Sequence, residues 1–167
     1  MEIGFSLGSN QGDRLAYLQA ARDGLLASGE GRLVAQSAVY ETAPVEVAAA
    51  YETFDFLNAV VVLESEASPE DWLVRLAGVE LSLGRVRSGE INAPRTVDVD
   101  LIYAGTLCRD TESLRVPHPR WMVRGFVLAP LAEVRPDLVL PGVAEAVKDV
   151  WSGCRDRSAV VRVIESW

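Results

Sequence analysis

The nine residues from Pro94 to Ile102, Pro-Arg-Thr-Val-Asp-Val-Asp-Leu-Ile, narrow the folds open to this chain more than any other stretch. Side chains alternate along a strand, so Asp98 and Asp100 leave one face while Val97, Val99 and Leu101 leave the other. The apolar face must be covered by other parts of the chain. The opposite face carries two carboxylates that repel each other and call for a cation beside them. Hard oxygen ligands at this spacing suit Mg²⁺, which keeps several waters and takes further ligands from phosphate oxygens. A bare Asp-x-Asp is more often the solvated face of an amphipathic strand, so the neighbouring motifs decide between the two.

At 167 residues the chain fits one domain, residues 1–167, with length enough for a sizeable core. No apolar run reaches the ~20 residues that span a bilayer, and the N-terminus lacks the pattern of a signal peptide, so the expected place is the cytoplasm, away from membranes. Cys108 and Cys154 have no metal-like spacing and take structural roles. His118 is the one histidine, which leaves a His-based zinc site or a Ser-His-Asp triad a single residue to use. A net charge of −8 argues against a nucleic-acid partner. Arginines at 85, 87, 95, 115, 120 and 124 nevertheless cluster in the middle of the chain, and Arg offers a planar fork for phosphate oxygens.

Residues 2 to 8 read as a strand, and Gly8-Ser9-Asn10-Gln11-Gly12-Asp13 as a tight turn into a helix with Leu15, Leu18, Ala21 and Leu25 on its stripe. The turn lacks a Gly-Lys-Ser/Thr ending and is no Walker motif. Leu33 to Tyr40 reads as the second strand, followed by a Pro44-containing loop and a third strand entered from Phe54. Asn58 inside that apolar strand either ties down local backbone or reads a heteroatom-rich ligand. Ser68-Pro69-Glu70-Asp71 starts a helix that carries Trp72, Leu76, Val79 and Leu83, with Glu80 at the edge of the buried face and in need of a cationic partner. Gly84 ends it, and a polar loop leads to Arg95 and the Asp98 strand.

Strand-helix-strand repeated twice predicts an α+β, ferredoxin-like βαββαβ sandwich, its antiparallel sheet covered by two helices on one face. The other face is then free for a ligand site. An additional C-terminal portion follows: an irregular region through Leu131, a short helix within residues 142 to 151, and a β-branched tail, Ala159 to Ile164, suited to an edge strand.

Gly8-Ser9-Asn10, Tyr40-Glu41-Thr42-Ala43-Pro44, Phe56-Leu57-Asn58, Gly84-Arg85-x-Arg87, Pro94 to Asp100, Val116-Pro117-His118-Pro119 and Arg124-Gly125-Phe126-Val127-Leu128 occur in order from residue 1 to about 137. Each string is weak alone, but the ordered set closely resembles the 6-hydroxymethyl-7,8-dihydropterin pyrophosphokinases of folate biosynthesis. That resemblance implies pyrophosphoryl transfer from ATP to the hydroxymethyl oxygen of the pterin, leaving AMP. It also implies two Mg²⁺ ions on Asp98 and Asp100, with Arg85 and Arg95 joining these aspartates in catalysis. Arg85, Arg95, His118 and Arg124 match positions that contact the triphosphate. Phe56 and Phe126 match the aromatic pair that sandwiches the pterin, while Thr42, Ala43, Val45 and Asn58 match groups at the ring edge. Without the resemblance His118 would be a structural hydrogen-bonder and the phenylalanines plain core.

The chain departs from the family where Ile91 and Asn92 replace an Arg-Trp pair that closes over the site, and where Ser113 and Arg115 replace an Arg and a Thr near the adenosine. Activity is expected to survive with weaker loop closure or altered nucleotide affinity, because Asn cannot shield a reaction from water as an indole does. The alternative is a degenerate paralogue that binds pterin or nucleotide without catalysis. A monomer is the expected state.

Overall fold

The computed structural model describes residues 1–44, 48–85, 93–155 and 157–167. Along the chain come β1 (Glu2–Ser9), α1 (Arg14–Ala27), β2 (Gly31–Gln36), β3 (Val39–Thr42), β4 (Phe56–Ser65), α2 (Pro69–Ser82) and β5 (Asp98–Ala104). A small hairpin of β6 (Arg109–Asp110) and β7 (Arg115–Val116) follows, then α3 (Gly125–Val134), α4 (Val147–Ser152) and β8 (Val160–Ile164). The strand order is β5-β1-β4-β3-β8, with β2 also paired to β4 and the pairs antiparallel. This is the ferredoxin-like α+β arrangement, extended by the C-terminal elements. None of the helices described is long and apolar enough to cross a membrane.

Both long helices start where polar side chains can satisfy free amides. Asp13 accepts from the Ala16 amide at 3.1 Å, and Ser68 and Asp71 form a reciprocal capping box with Pro69 at the first helical position. Their apolar stripes cover the first face of the sheet. Leu18, Ala21 and Leu25 of α1 and Trp72 and Leu76 of α2 meet Ile3, Phe5 and Leu7 of β1, Ala59, Val61 and Leu63 of β4, and Val99 and Leu101 of β5. Burying each large apolar side chain contributes roughly 1.5–3 kcal/mol. Phe5 and Trp72 lie 5.0 Å apart, tilted by 54°, at the centre of this layer.

The second face differs from the sequence-based expectation, because half of it is covered. Val60 and Val62 of β4 and Ile102 and Tyr103 of β5 pack under Trp121, α3 and α4, through Val127, Leu128, Leu131 and Val147. A bulge in β5 makes this possible. Phe5 faces Leu101 and Gly4 faces Tyr103, so Ile102 is the extra residue and both Ile102 and Tyr103 turn to the second face. Gly4 gives the Tyr103 ring its room, since a Cβ there would lie 2.2 Å from Tyr103 Cε1. The uncovered half lies beyond, where β1 presents Ser6 and Gly8.

The expected strand from Leu33 to Tyr40 is divided. Gln36 faces Val61 and Tyr40 faces Asn58, four residue steps against three, so the edge bulges at Ser37 and Ala38. Ser37 fills the gap by accepting the Val60 amide on its hydroxyl at 2.9 Å. The last part of the irregular region expected through Leu131 is instead α3, which begins at Gly125 and carries Pro130 in its interior. The tail forms the expected edge strand, β8, on β3, while the helix expected within 142 to 151 is confined to Val147–Ser152.

Candidate active site

The open half of the second face is the floor of a cavity of about 340 Å³. Ser6 and Gly8 of β1 keep that floor low between the taller residues of β4 and β5. A Cβ on Gly8 would stand 3.3 Å from Asn58 Oδ1 and 3.7 Å from the Phe56 ring. Asp98 and Asp100 rise from β5 on one side, and Phe56 and Asn58 from β4 on the other. Thr42, Ala43, Arg85, Arg95, His118, Arg120, Val123, Arg124 and Phe126 complete the lining. Strand alternation therefore places both carboxylates as the sequence predicts, with Val97, Val99 and Leu101 buried behind them.

Each aspartate is held by arginine. Arg95 Nη1 lies 2.9 Å from Asp98 Oδ2, Arg85 pairs with both Asp98 and Glu80, and Arg124 Nη1 lies 3.3 Å from Asp100 Oδ2. Glu80, buried at the end of α2, accepts the Val99 amide at 2.9 Å and so fastens the helix to β5 beside the site. Burial works against the Arg85 charge, but Asp98 and Glu80 outweigh it and hold the guanidinium above its ordinary value. Burial pushes the Asp100 carboxyl up to about 6, Asp98 adds to the rise, and Arg124 opposes it. Arg124, the guanidinium that faces Asp100, does not fully offset burial and the neighbouring Asp98 charge, and a further cation would.

His118 is anchored on both sides. Its amide donates to Ile102 O at 2.8 Å, and its carbonyl accepts from Trp121 at 3.0 Å. Nδ1 accepts the Arg120 amide at 3.1 Å, which leaves the proton on Nε2. Burial lowers the imidazole to about 4, helped by the charges of Arg124 and Arg120. At neutral pH it is an uncharged ring with one N–H to donate.

The aromatic residues are stacked with the cationic ones. Arg95 lies over Phe56 at 5.9 Å and Arg124 over Phe126 at 5.3 Å, so each guanidinium is braced by a ring. Asn58, buried, donates through Nδ2 to Thr42 Oγ1 at 3.0 Å, which joins β4 to β3 at the cavity edge. Val45, and the loop residues Arg87, Glu90, Ile91 and Asn92, lie outside the described residues. The other expected site residues line this one cavity: Thr42, Ala43, Phe56, Asn58, Arg85, Arg95, Asp98, Asp100, His118, Arg124 and Phe126.

Sequence reasoning counted Arg120 only within the arginine cluster, and missed Ser6, Gly8 and Val123 in the lining and Asn10 behind it. Asn10, buried, accepts the Arg95 amide on Oδ1 at 2.8 Å, donates its own amide to Arg95 O at 3.3 Å, and donates Nδ2 to Phe54 O at 3.3 Å. The turn it sits in is therefore more than a connection. The small residues at alternate positions, Gly4, Ser6 and Gly8, were the available signal for an open floor.

A model of the 7,8-dihydro-6-hydroxymethylpterin-pyrophosphokinase family matches residues 4–136. The chain is 40% identical over 161 residues to the 2-amino-4-hydroxy-6-hydroxymethyldihydropteridine pyrophosphokinase of Methylorubrum extorquens, covering 94% of this chain and 95% of that one. It is 40% identical over 136 residues to the enzyme of the same name from Pseudomonas aeruginosa, covering 81% and 82% of the two chains. A crystal structure of HPPK-DHPS in complex with substrates is similar with a TM-score of 0.70 over 90% of this chain at 12% identity, a likeness of fold. This chain spans 44% of that one.

Proposed function

The chain belongs to the 7,8-dihydro-6-hydroxymethylpterin-pyrophosphokinase family, and on that footing we propose how its own residues carry out the family's reaction. The reaction transfers pyrophosphate from ATP to 6-hydroxymethyl-7,8-dihydropterin, a step of folate biosynthesis. The observation that carries the assignment of roles is that Asp98 and Asp100 enter the same cavity as Arg85, Arg95, His118 and Arg124.

Asp98 and Asp100 would hold Mg²⁺, two ions with ATP bound. The fit rests on the crowding of the two carboxylates and on the rise of Asp100 toward 6, both of which a divalent ion relieves. Among the described residues no third His, Cys, Asp or Glu joins them, which suits an ion that takes its remaining ligands from phosphate and water. When bound, Mg²⁺ neutralises phosphate charge and makes the attacking hydroxyl more acidic.

The protein's share is positioning and electrostatics. Arg85, Arg95 and Arg124 exchange their carboxylate partners for phosphate oxygens, and the Nε2–H of His118 donates a hydrogen bond to another. Because His118 stays uncharged and braced, it orients the polyphosphate without needing to take up a proton. Phe56 and Phe126 bind the flat pterin by stacking, and Asn58 with Thr42 and Ala43 reads its edge; Val45 is assigned to the same edge. No covalent nucleophile takes part. The non-catalytic alternative rested on loop residues outside those described, and no cavity residue favours it.

Incubation with ATP and 6-hydroxymethyl-7,8-dihydropterin, with and without Mg²⁺, tests this. AMP should form only when the pterin and Mg²⁺ are both present. A pterin titration signal without AMP would overturn the catalytic reading.

A further inference from the structure

Among the described residues four arginines line the cavity, and three of them already face carboxylates: Arg85, Arg95 and Arg124. A phosphate that approaches any of these three meets a guanidinium whose charge is already largely offset by a carboxylate, which weakens the new pair. Arg120 is different. It is exposed at the cavity rim, and its side chain makes no ion pair or hydrogen bond among the described residues. Its backbone is nonetheless fixed, because its amide donates to His118 Nδ1 and its carbonyl accepts from Val123 at 3.3 Å. A free guanidinium therefore projects from a held backbone beside the phosphate-binding histidine.

We propose that Arg120 is the nucleotide-capture residue of this site, the first guanidinium to bind the polyphosphate of ATP, before the paired arginines change partners. The proposal rests on the pyrophosphokinase reading above and adds a residue that reading does not use. The field of the whole protein makes such a residue useful: at a net charge of −8 the chain repels a polyanion, and an uncompensated positive charge at the mouth reverses that field locally. Arg120 is also close enough to His118 and Arg124 for its charge to be felt by both groups, which places it on the phosphate side of the cavity. One charge-assisted hydrogen bond at an exposed site corresponds to about a tenfold change in affinity.

Direct titration with MgATP tests this without requiring turnover. Arg120→Gln should bind MgATP about tenfold more weakly than the parent protein and lose affinity less steeply as salt is raised. Arg32→Gln, the same charge change at an exposed site outside the cavity, should leave both unchanged. In steady-state kinetics Arg120→Gln should raise the ATP KM more than it lowers turnover, because the residue acts on nucleotide capture. An R120Q protein with the parent's MgATP affinity and salt dependence would overturn the proposal. If the parent protein binds MgATP yet releases no AMP, the pyrophosphokinase reading fails while the titration still decides the role of Arg120. If it does not bind MgATP, both fail.

Discussion

Glu80 accepts the backbone amide of Val99 at 2.9 Å, so a buried carboxylate on α2 holds the one residue that separates the two site aspartates. It also pairs with Arg85 and thereby aims that guanidinium at Asp98. Glu80→Ala removes an acceptor from a buried amide and leaves Arg85 with Asp98 alone. Stability should fall by about 2–3 kcal/mol, less than for a fully enclosed pair because Arg85 can turn toward the cavity. Glu80→Gln keeps the acceptor and should recover more than half of that loss in urea unfolding. Equal losses in the two variants would mean that charge, and not the Val99 contact, is what matters.

Asp98→Ala and Asp100→Ala should each lower AMP release by about a hundredfold or more while leaving the fold intact. Phe126→Ala should mainly raise the pterin KM, by roughly tenfold, with a smaller effect on turnover. Steady-state kinetics with each substrate varied in turn separates these outcomes. Similar, mild effects from all three would count against the assigned roles.

Gly4→Ala should destabilise the protein without touching chemistry. The added methyl would fall 2.2 Å from Tyr103 Cε1, and the ring is buried with its hydroxyl donating to Glu2 at 2.7 Å, so it cannot swing away freely. Overpacking of this kind costs about 1–3 kcal/mol. A drop in the thermal midpoint with unchanged kcat/KM is the expected result.

The pair of Glu2 and Arg135 gives a stability that depends on pH. Arg135 Nη2 lies 2.7 Å from Glu2 Oε2, and its hydrogen bonds hold the carboxyl below the ordinary 4.5 against the effect of burial, with Tyr103 assisting. A group more acidic in the folded than in the unfolded state stabilises above its unfolded value and loses that contribution as pH falls through the folded one. Arg135→Gln should therefore cost about 1 kcal/mol at pH 7, modest because the pair is partly solvated. The difference from the parent should shrink at pH 3. A gap of the same size at both pH values would rule out this pair as its source.

Much of the site could be read from the sequence because strand alternation is local: once Asp98 and Asp100 share a face, Val97, Val99 and Leu101 must share the other. The cap at Ser68 and the β-branched tail that becomes β8 were legible for the same reason. Long-range effects were not. The bulge at Ser37 depends on its hydroxyl standing in for a backbone acceptor of the Val60 amide, which no periodicity reveals. Pro130 disguised α3, since a proline inside a helix removes a backbone donor and reads as a break. With α3 hidden, the cover over half of the second face was hidden too. Glu80 was expected to find a cation, and does in Arg85, but its grip on Val99 depends on how α2 meets β5.

Asn10 bonds the backbone on both sides of the cavity, at Arg95 and at Phe54, two residues before the aromatic Phe56. The Arg95 side and the Phe56 side of the cavity are thus referenced to one post. A shift of that post displaces both sides together, so the gap between Arg95 and Phe56 is less sensitive to it than the position of either.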